Sequence, residues 1–308
     1  MLNPITSCSS LAFLRRSQIS SIYKSRVRLA SLHSTASTPV IRRESLGDFS
    51  LTDRVAIVTG GNRGLGLEAA LALSTAGSRV VYCLDLPENP GEDWNAARQS
   101  VEKLEGAGRL KYVTNDVRDQ KKLLKTVEEI ATEEGRMDIC VAVAGISGAL
   151  KSCLEFTEEE LEEVYAVNLK GVFFSAQAAA RQMHRFQTPG SIILMGSVAG
   201  SVALKRTPAL PYNTSKAAVI NMARVMACEL AQKNIRVNSL SPGYIETPMT
   251  TAAISAQPEF QTIWSEESFM NRLGKPHELR GVVTWLASDA SSFCTGSNII
   301  VDGGYTAW

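Results

Sequence analysis

The sequence is poor in metal-binding residues and has no regularly spaced cysteines. Three histidines, His33, His184 and His277, are too few and too scattered to form a metal site, which needs clustered ligands. Six cysteines lie singly and without C-x-x-C spacing, so we interpret them as reduced thiols of an intracellular protein. Four of them lie within or beside apolar stretches, and we expect these to be buried. They are Cys83, Cys140, Cys228 and Cys294.

The chain also lacks a strong net charge and a long apolar run. Its 32 Lys and Arg residues against 31 Asp and Glu give +1, which offers no support for a nucleic-acid partner. No stretch reaches the roughly 18 consecutive apolar residues of a membrane span. An apolar fraction of 44% is that of an ordinary globular protein. These properties indicate an ordinary globular protein.

Residues 1–43 contain no acidic residue, whereas they contain seven Lys and Arg residues and many Ser and Thr. This composition is typical of an organelle transit peptide, and no uninterrupted apolar region suggests a secretory signal. We therefore expect import into the mitochondrial matrix, with removal of the leader between Arg28 and Pro39. The alternative is a basic tail without a targeting role, on a protein that stays in the cytoplasm.

From residue 51 to residue 308, short apolar runs alternate with stretches of helical periodicity. The runs predict strands at 55–58, 79–84, 110–113, 139–144, 191–195, 235–240 and 299–301. Helices are predicted at 65–76, 96–105, 119–134, 157–180, 212–232 and 279–287. This alternation predicts an α/β domain with a single doubly wound parallel sheet, covered by helices on both faces.

The segment Thr59–Gly66 joins the first predicted strand to the first predicted helix, which is the position of a dinucleotide-binding turn. Gly60 permits a tight turn, while Gly64, Leu65 and Gly66 open the helix. Without side chains at the glycines, the backbone can approach a pyrophosphate, and the helix N-terminus supplies N–H donors. We therefore predict that this turn binds a dinucleotide.

Three charged residues bear on which dinucleotide is bound. Asp85 ends the second strand, where a carboxylate accepts hydrogen bonds from the adenosine ribose and repels a 2′-phosphate, which favours NAD. Arg63 in the glycine turn could pair with such a phosphate, so NADP stays open. Asp116, after the third strand, is placed either to hydrogen-bond the adenine edge or to cap the next helix.

Tyr212 and Lys216 stand four residues apart at the start of a predicted helix, which places a phenol and an ammonium on one helix face. A nearby positive charge favours the phenolate, so we expect Lys216 to lower the pKa of Tyr212 and to let it exchange a proton near neutral pH. A proton donor and a dinucleotide site in one chain indicate redox chemistry between an alcohol and a carbonyl.

Taken together, the motifs of residues 51–308 resemble those of the short-chain dehydrogenase/reductase family, which implies a Rossmann fold. In chain order they are the turn Thr59–Gly66, Asn168 within Val167–Gly171, Ser197, Tyr212 with Lys216, Pro242-Gly243 followed by Thr247, and Val301–Gly304. Several motifs in the right order make the resemblance specific, which no single one would.

The resemblance implies a role for each of the matching residues. Tyr212 exchanges a proton with the substrate oxygen, and Ser197 hydrogen-bonds that oxygen. Lys216 lowers the pKa of Tyr212 and binds the nicotinamide ribose, while Asn168 positions a water that links Lys216 to solvent. The backbone near Ile245 and the Thr247 hydroxyl hold the nicotinamide carboxamide. A tetramer of identical chains is also implied.

Two departures from the family's pattern are visible. The family's NNAG motif after the fourth strand is here Ala142–Gly145, so two amide side chains are missing from a structural hydrogen-bond network. The loop Gly200–Pro211 is slightly long, which leaves Ser201 as an alternative to Ser197 for the serine role.

The substrate is less sharply indicated than the reaction. Segments such as Met195–Gly200 and Ser241–Ile245 look most like those of fungal polyol dehydrogenases and ketose reductases, which favours a sugar alcohol and its ketose. A 3-oxoacyl reductase is the alternative within the family. Two further alternatives are a non-catalytic protein that senses dinucleotides and a subunit that serves assembly.

Overall fold

Seven parallel strands form one sheet in the computed structural model, which describes residues 46–204 and 206–308. The predicted leader, residues 1–43, lies outside the described residues. The strands are β1 Val55–Thr59, β2 Val80–Asp85, β3 Arg109–Thr114, β4 Ile139–Ala142, β5 Gly190–Met195, β6 Ile235–Pro242 and β7 Asn298–Val301. Their order across the sheet is β3-β2-β1-β4-β5-β6-β7, which confirms the predicted doubly wound parallel sheet. The order reverses between β1 and β4, and ligands of such sheets bind at this point.

Helices cover both faces of the sheet. They are α1 Gly64–Thr75, α2 Glu92–Val101, α3 Gln120–Glu134, α4 Glu158–Tyr165, α5 Val172–Phe186, α6 Leu210–Leu230, α7 Pro248–Ala256, α8 Glu259–Glu266 and α9 Arg280–Ala287. Short 3₁₀ turns lie at Gly47–Phe49, Val198–Gly200, Ala231–Lys233, Pro276–Leu279 and Asp289–Ser291.

The two faces have separate apolar cores because side chains alternate along each strand. In β1, Val55 and Ile57 pack towards α3, α5 and α6, whereas Ala56 and Val58 pack towards α1, α2 and α9. All five residues of β1 are buried, as expected of a central strand in a parallel sheet. None of the helices described between residues 46 and 308 is long and apolar enough to cross a membrane.

Three local predictions were wrong. The helix predicted at 96–105 is α2, which begins four residues earlier because Gly91 serves as its N-cap and Trp94 anchors its first turns in the core. The helix predicted to run unbroken over 157–180 contains a π-helical turn at Ala166–Gly171, between α4 and α5. Cys228 is exposed rather than buried, because it lies on the outer side of α6, and Cys294 is only half-buried.

The start of α4 is fixed by its sequence. Thr157 accepts a hydrogen bond from the N–H of Glu160, and the Glu160 carboxylate accepts one from the N–H of Thr157. This reciprocal pair satisfies two N–H groups that a helix end otherwise leaves free. The capping box predicts where the helix begins, and the π turn that carries Asn168 follows two helical turns later.

Candidate active site

The residues predicted to act lie at one edge of the sheet. The glycine turn follows β1, Asp85 ends β2, Gly145 follows β4 and Ser197 follows β5. Ile245 comes soon after β6. Since the carboxyl ends of parallel strands share an edge, the fold brings these five segments into one cleft.

The glycine turn is packed too closely for side chains. Gly60 has a φ of +71°, and a Cβ on it would lie 2.8 Å from the backbone of Ala144. A Cβ on Gly66 would collide with the carbonyl oxygen of Gly60. The turn therefore depends on glycine at both positions, for its left-handed conformation at one and for close backbone approach at the other.

The start of α7 lies beside the glycine turn. Gly64 has a φ of +55°, and a Cβ on it would lie 3.4 Å from Pro248 and 3.9 Å from Thr247. Among the described residues, no side chain caps the N-terminus of α1, which begins at Gly64 and continues through Leu65. Its first N–H groups and the helix dipole thus suit a pyrophosphate. The residues present fit the dinucleotide that the sequence predicts.

Asp85 and Arg63 differ in how firmly they are placed. The Asp85 carboxylate accepts hydrogen bonds from the backbone N–H groups of Asn62, at 3.0 Å, and Leu86, at 2.8 Å. These bonds fix the carboxylate beside the glycine turn. Arg63 is exposed, and no ion pair holds it within the described part of the chain. The fixed carboxylate, rather than the free guanidinium, defines this part of the cleft.

The Asp116 carboxylate is hydrogen-bonded to the side chain of Arg118. Arg118 donates to both carboxylate oxygens, with its Nη2 at 2.7 Å from Oδ2, and this pairing lowers the pKa of Asp116. The cap of α3 is Asp119, so the capping alternative for Asp116 was wrong. A contact between Asp116 and an adenine edge would have to compete with Arg118.

Tyr212 lies in the first turn of α6 and Ser197 directly after β5. Ser197 is buried, and interaction with its hydroxyl lowers the pKa of Tyr212. Burial has the larger effect, however, and it raises the pKa of Tyr212 above its ordinary value. Ser201 is exposed, and its hydroxyl lies 3.5 Å from Asn298 instead. The structure therefore brings Ser197, not Ser201, to the tyrosine.

Lys216 is buried behind Tyr212. Its Nζ donates to the carbonyl oxygen of Met195, at 2.8 Å, and lies 5.6 Å from the centroid of the Tyr212 ring. Within the part of the chain that the structure describes, no carboxylate pairs with it, and burial lowers the pKa of Lys216 to about 8. The expected fall in the pKa of Tyr212 is not found, because desolvation of the phenol raises the pKa by more than the hydrogen bond with Ser197 lowers it.

Asn168 lies in the π turn and holds the backbone that follows β4. Its Oδ1 accepts from the N–H of Ile146, at 2.8 Å, and its Nδ2 donates to the carbonyl oxygen of Ile146, at 2.9 Å. A Cβ on Gly145 would lie 3.3 Å from Asn168 Oδ1 and 3.7 Å from Lys216 Nζ. The absence of a side chain at Gly145 thus lets the amide and the ammonium approach the same segment. Sequence reasoning had missed the two bonds to Ile146.

Ile245 and Thr247 begin the segment that leads into α7. Ile245 is buried, and its carbonyl oxygen accepts from the Thr250 hydroxyl, at 2.7 Å. The Thr247 hydroxyl accepts from the N–H of Thr250, at 3.3 Å, and caps α7. These bonds fix Thr247 at the start of α7, close to Gly64 of the glycine turn.

The missing amides of Ala142–Gly145 have a visible consequence. Ala142 stands directly opposite Thr59 in the pairing of β4 with β1. The Thr59 hydroxyl oxygen is buried and has no hydrogen-bond partner among the described residues. An amide side chain is thus absent from the strand position that pairs with Thr59.

Comparison with known proteins identifies the family. The family model described as enoyl-(acyl carrier protein) reductase matches residues 60–306. A D-arabinitol 2-dehydrogenase (ribulose-forming) of Candida tropicalis is 35% identical over 268 residues, which are 84% of this chain and 95% of that protein. A sorbose reductase of Schizosaccharomyces pombe is 36% identical over 260 residues, which are 83% of this chain and 97% of that protein.

Solved structures of dehydrogenases are similar to this chain in both fold and sequence. A short-chain type dehydrogenase/reductase from Mycobacterium marinum is 34% identical, with a TM-score of 0.79 over 86% of this chain and 100% of that one. A putative 2-deoxy-D-gluconate 3-dehydrogenase from Agrobacterium tumefaciens, with bound NADP, is 30% identical, with a TM-score of 0.74 over 85% and 99%.

The fold and the site define a nicotinamide-dependent oxidoreductase that acts on CH–OH groups. The chain belongs to the short-chain dehydrogenase/reductase family, so the resemblance inferred from its motifs is confirmed.

Proposed function

We propose that this protein interconverts a secondary alcohol of a polyol and the corresponding ketose, with Tyr212 as the proton donor and acceptor. The observation that carries the proposal is the juxtaposition of Tyr212, Ser197 and a buried, carboxylate-free Lys216 at the carboxyl edge of the sheet. A non-catalytic sensor would have no need to bury an unpaired ammonium beside a phenol, since such burial is costly.

The cofactor in this proposal is NAD, with NADP as the alternative. The glycine turn and the N-terminus of α1 would hold the pyrophosphate, and the fixed Asp85 carboxylate would accept from the ribose hydroxyls. Ile245 and Thr247 would hold the nicotinamide end. The bound nicotinamide gives or takes the hydride. The relative that binds NADP shows that the choice needs a direct measurement.

The chain's own residues handle the proton and the charge. In ketone reduction Tyr212 donates its proton to the substrate oxygen, and in alcohol oxidation it takes that proton back. The Ser197 hydroxyl donates to the same oxygen as negative charge develops there. The Lys216 ammonium stabilises the tyrosinate left after donation, because the two groups lie on one face of α6. Asn168 keeps the backbone of Ile146 in place beside Lys216.

The substrate class is supported by the relatives rather than by the cleft alone. The names of the two relatives described above specify a sugar alcohol in one case and a ketose in the other. A 3-oxoacyl thioester is the second candidate, because the matching family model is described as an enoyl-(acyl carrier protein) reductase and both substrates are acyl thioesters.

The test is absorbance at the reduced-nicotinamide band. Purified protein is assayed with NAD and NADP against polyols and, in the reverse direction, ketoses and 3-oxoacyl thioesters. We expect turnover of a polyol and ketose pair, and a loss of about 10²–10⁴-fold in Tyr212→Phe with cofactor binding retained. Tyr165→Phe is the matched control, since its hydroxyl contacts Thr214 on the other side of α6. Full activity in Tyr212→Phe would refute the proton role of Tyr212. Turnover of 3-oxoacyl thioesters without turnover of polyols or ketoses would refute the polyol assignment and favour the acyl substrate.

Assembly and location remain separate proposals. Support for a homotetramer comes from the family and from the exposed Trp308, 79% accessible, which packs edge-on against the half-exposed Phe269. Light scattering on the purified protein measures the mass of the assembly. Import into mitochondria follows from the leader composition, and fractionation of cells that express the full chain tests it.

A further inference from the structure

Residues 248–270, here called the lid, are held down by a stack of three aromatic rings. Trp264 on α8 stacks on Phe260 one turn earlier, with centroids 4.7 Å apart, and on Tyr244, with centroids 4.4 Å apart and planes within 9°. Phe260 and Trp264 are each less than 5% exposed. Aromatic contacts of this kind add to the stabilisation from burial.

The hydroxyl of Thr207 links the lid to the loop before α6 by hydrogen bonds. Trp264 Nε1 donates to Thr207 Oγ1, at 3.2 Å, and Thr207 Oγ1 lies 3.3 Å from the hydroxyl of Tyr244. An indole N–H can only donate, so Thr207 accepts this bond while its hydroxyl also pairs with the hydroxyl of Tyr244. Thr207 is buried, and none of the roles assigned by the family's motifs requires it.

The stack lies where three site-bearing segments meet. Thr207 belongs to the loop between Ser197 and Tyr212, and Tyr244 directly precedes Ile245. Leu150, from the segment after β4, packs into the same apolar cluster. The lid therefore contacts all three loops at the carboxyl edge of β4, β5 and β6, and Trp264 is at the centre of these contacts.

We propose that Trp264, stacked on Tyr244 and bonded to Thr207, closes the lid side of the substrate cleft and restricts the substrate to a short carbon chain. A long acyl chain that extends away from the reacting carbon needs a gap between the lid and a neighbouring loop. Beside Tyr244 this gap is filled by the stacked rings of Tyr244, Trp264 and Phe260. The inference rests on the proposed function and narrows it, because a five- or six-carbon ketose fits a closed cleft and a long 3-oxoacyl chain does not.

The first experiment tests the closure without any substrate. Hydrogen exchange of the lid amides is measured in wild type, Thr207→Val and Trp264→Phe, two variants that remove the indole–hydroxyl bond while keeping most of the volume. We expect exchange about fivefold faster in both, the factor that corresponds to one hydrogen bond. Trp285→Phe is the control, because its indole donates to Ala290 far from the lid. Equal lid exchange in Thr207→Val and Trp285→Phe overturns the proposal.

The second experiment tests the selectivity. The ratio of kcat/KM for 2-nonanone to that for a five-carbon ketose is compared between wild type and Trp264→Ala, and between wild type and Trp264→Phe. We expect the ratio to rise about tenfold or more in the alanine variant and to change little in the phenylalanine variant. An unchanged ratio in a folded Trp264→Ala overturns the inference while polyol oxidation by the wild type still supports the function. If the wild type oxidises no polyol but lid exchange is faster in the variants, the proposed function is refuted and the closure by Trp264 is still supported.

Discussion

Replacing Lys216 by methionine should change how the stability of this protein depends on pH. Methionine keeps the length of the side chain and removes the charge. Lys216 is 3% exposed, and burial lowers its pKa from 10.5 to about 8. Because the ammonium is charged at neutral pH in both the folded and the unfolded chain, the folded protein carries the full cost of burying it there.

The sign follows from proton binding in the two states. Between pH 8 and pH 10.5 the unfolded chain holds the proton of Lys216 more tightly than the folded protein, so the stability of the wild type rises across this range. A displacement from 10.5 to about 8, at about 1.4 kcal/mol per pH unit, corresponds to about 3.5 kcal/mol. Below pH 8 the cost is constant, and above pH 10.5 it is absent.

The assay is urea unfolding of wild type and Lys216→Met at several pH values from 7 to 11. The variant also leaves the carbonyl of Met195 without its donor, but this loss does not depend on pH and shifts every point equally. We expect the wild type to gain about 3.5 kcal/mol relative to the variant as pH rises. The exposed Lys233→Met should show a constant difference. A constant difference for Lys216→Met too would refute the argument that this ammonium is desolvated.

The remaining predictions concern selectivity, catalysis and stability. Asp85→Ala should shift the NAD to NADP preference by about tenfold towards NADP, because a like charge near the 2′-phosphate is removed, while the exposed Glu88→Ala should not; steady-state kinetics with both cofactors decide this. Ser197→Ala should lower kcat by about 10²–10³-fold and Ser201→Ala should leave it near wild type; equal effects would reverse the assignment. Thr59→Val should stabilise the fold by about 1 kcal/mol in urea unfolding, since it removes a buried hydroxyl without a partner, and destabilisation would reveal a hidden one.

The course of the chain was largely predictable from sequence because it depends on short-range rules. Buried parallel strands appear as continuous apolar runs, and the glycines of the first turn mark its position. All seven predicted strands exist and pair in parallel. α2 begins earlier than its apolar pattern predicts, because the acidic Glu92 and Asp93 are favourable in the first helical turn after Gly91.

The interior of the site was less predictable, since it depends on packing and desolvation. The spacing of Tyr212 and Lys216 correctly places both on α6, but spacing says nothing of how far water is excluded. Burial shifts both groups towards their neutral forms, which reverses the expected direction for the tyrosine. The π turn at Asn168 has no signal in helical periodicity, because it inserts one extra residue into an otherwise regular helix.

The departure from the NNAG pattern affects stability because of the strand pairing in which it occurs. From sequence, Ala142 is only a missing amide in a loop-edge motif. The pairing of β4 with β1 places it opposite Thr59, whose hydroxyl is buried without a partner. Such a hydroxyl costs about 1–3 kcal/mol, a sizeable part of the 5–15 kcal/mol that stabilises a typical domain. The pairing of the two strands is kept at this point, because the N–H of Val143 still donates a hydrogen bond to the carbonyl oxygen of Thr59. Backbone hydrogen bonds, rather than a side chain, therefore hold the end of β4 beside the glycine turn.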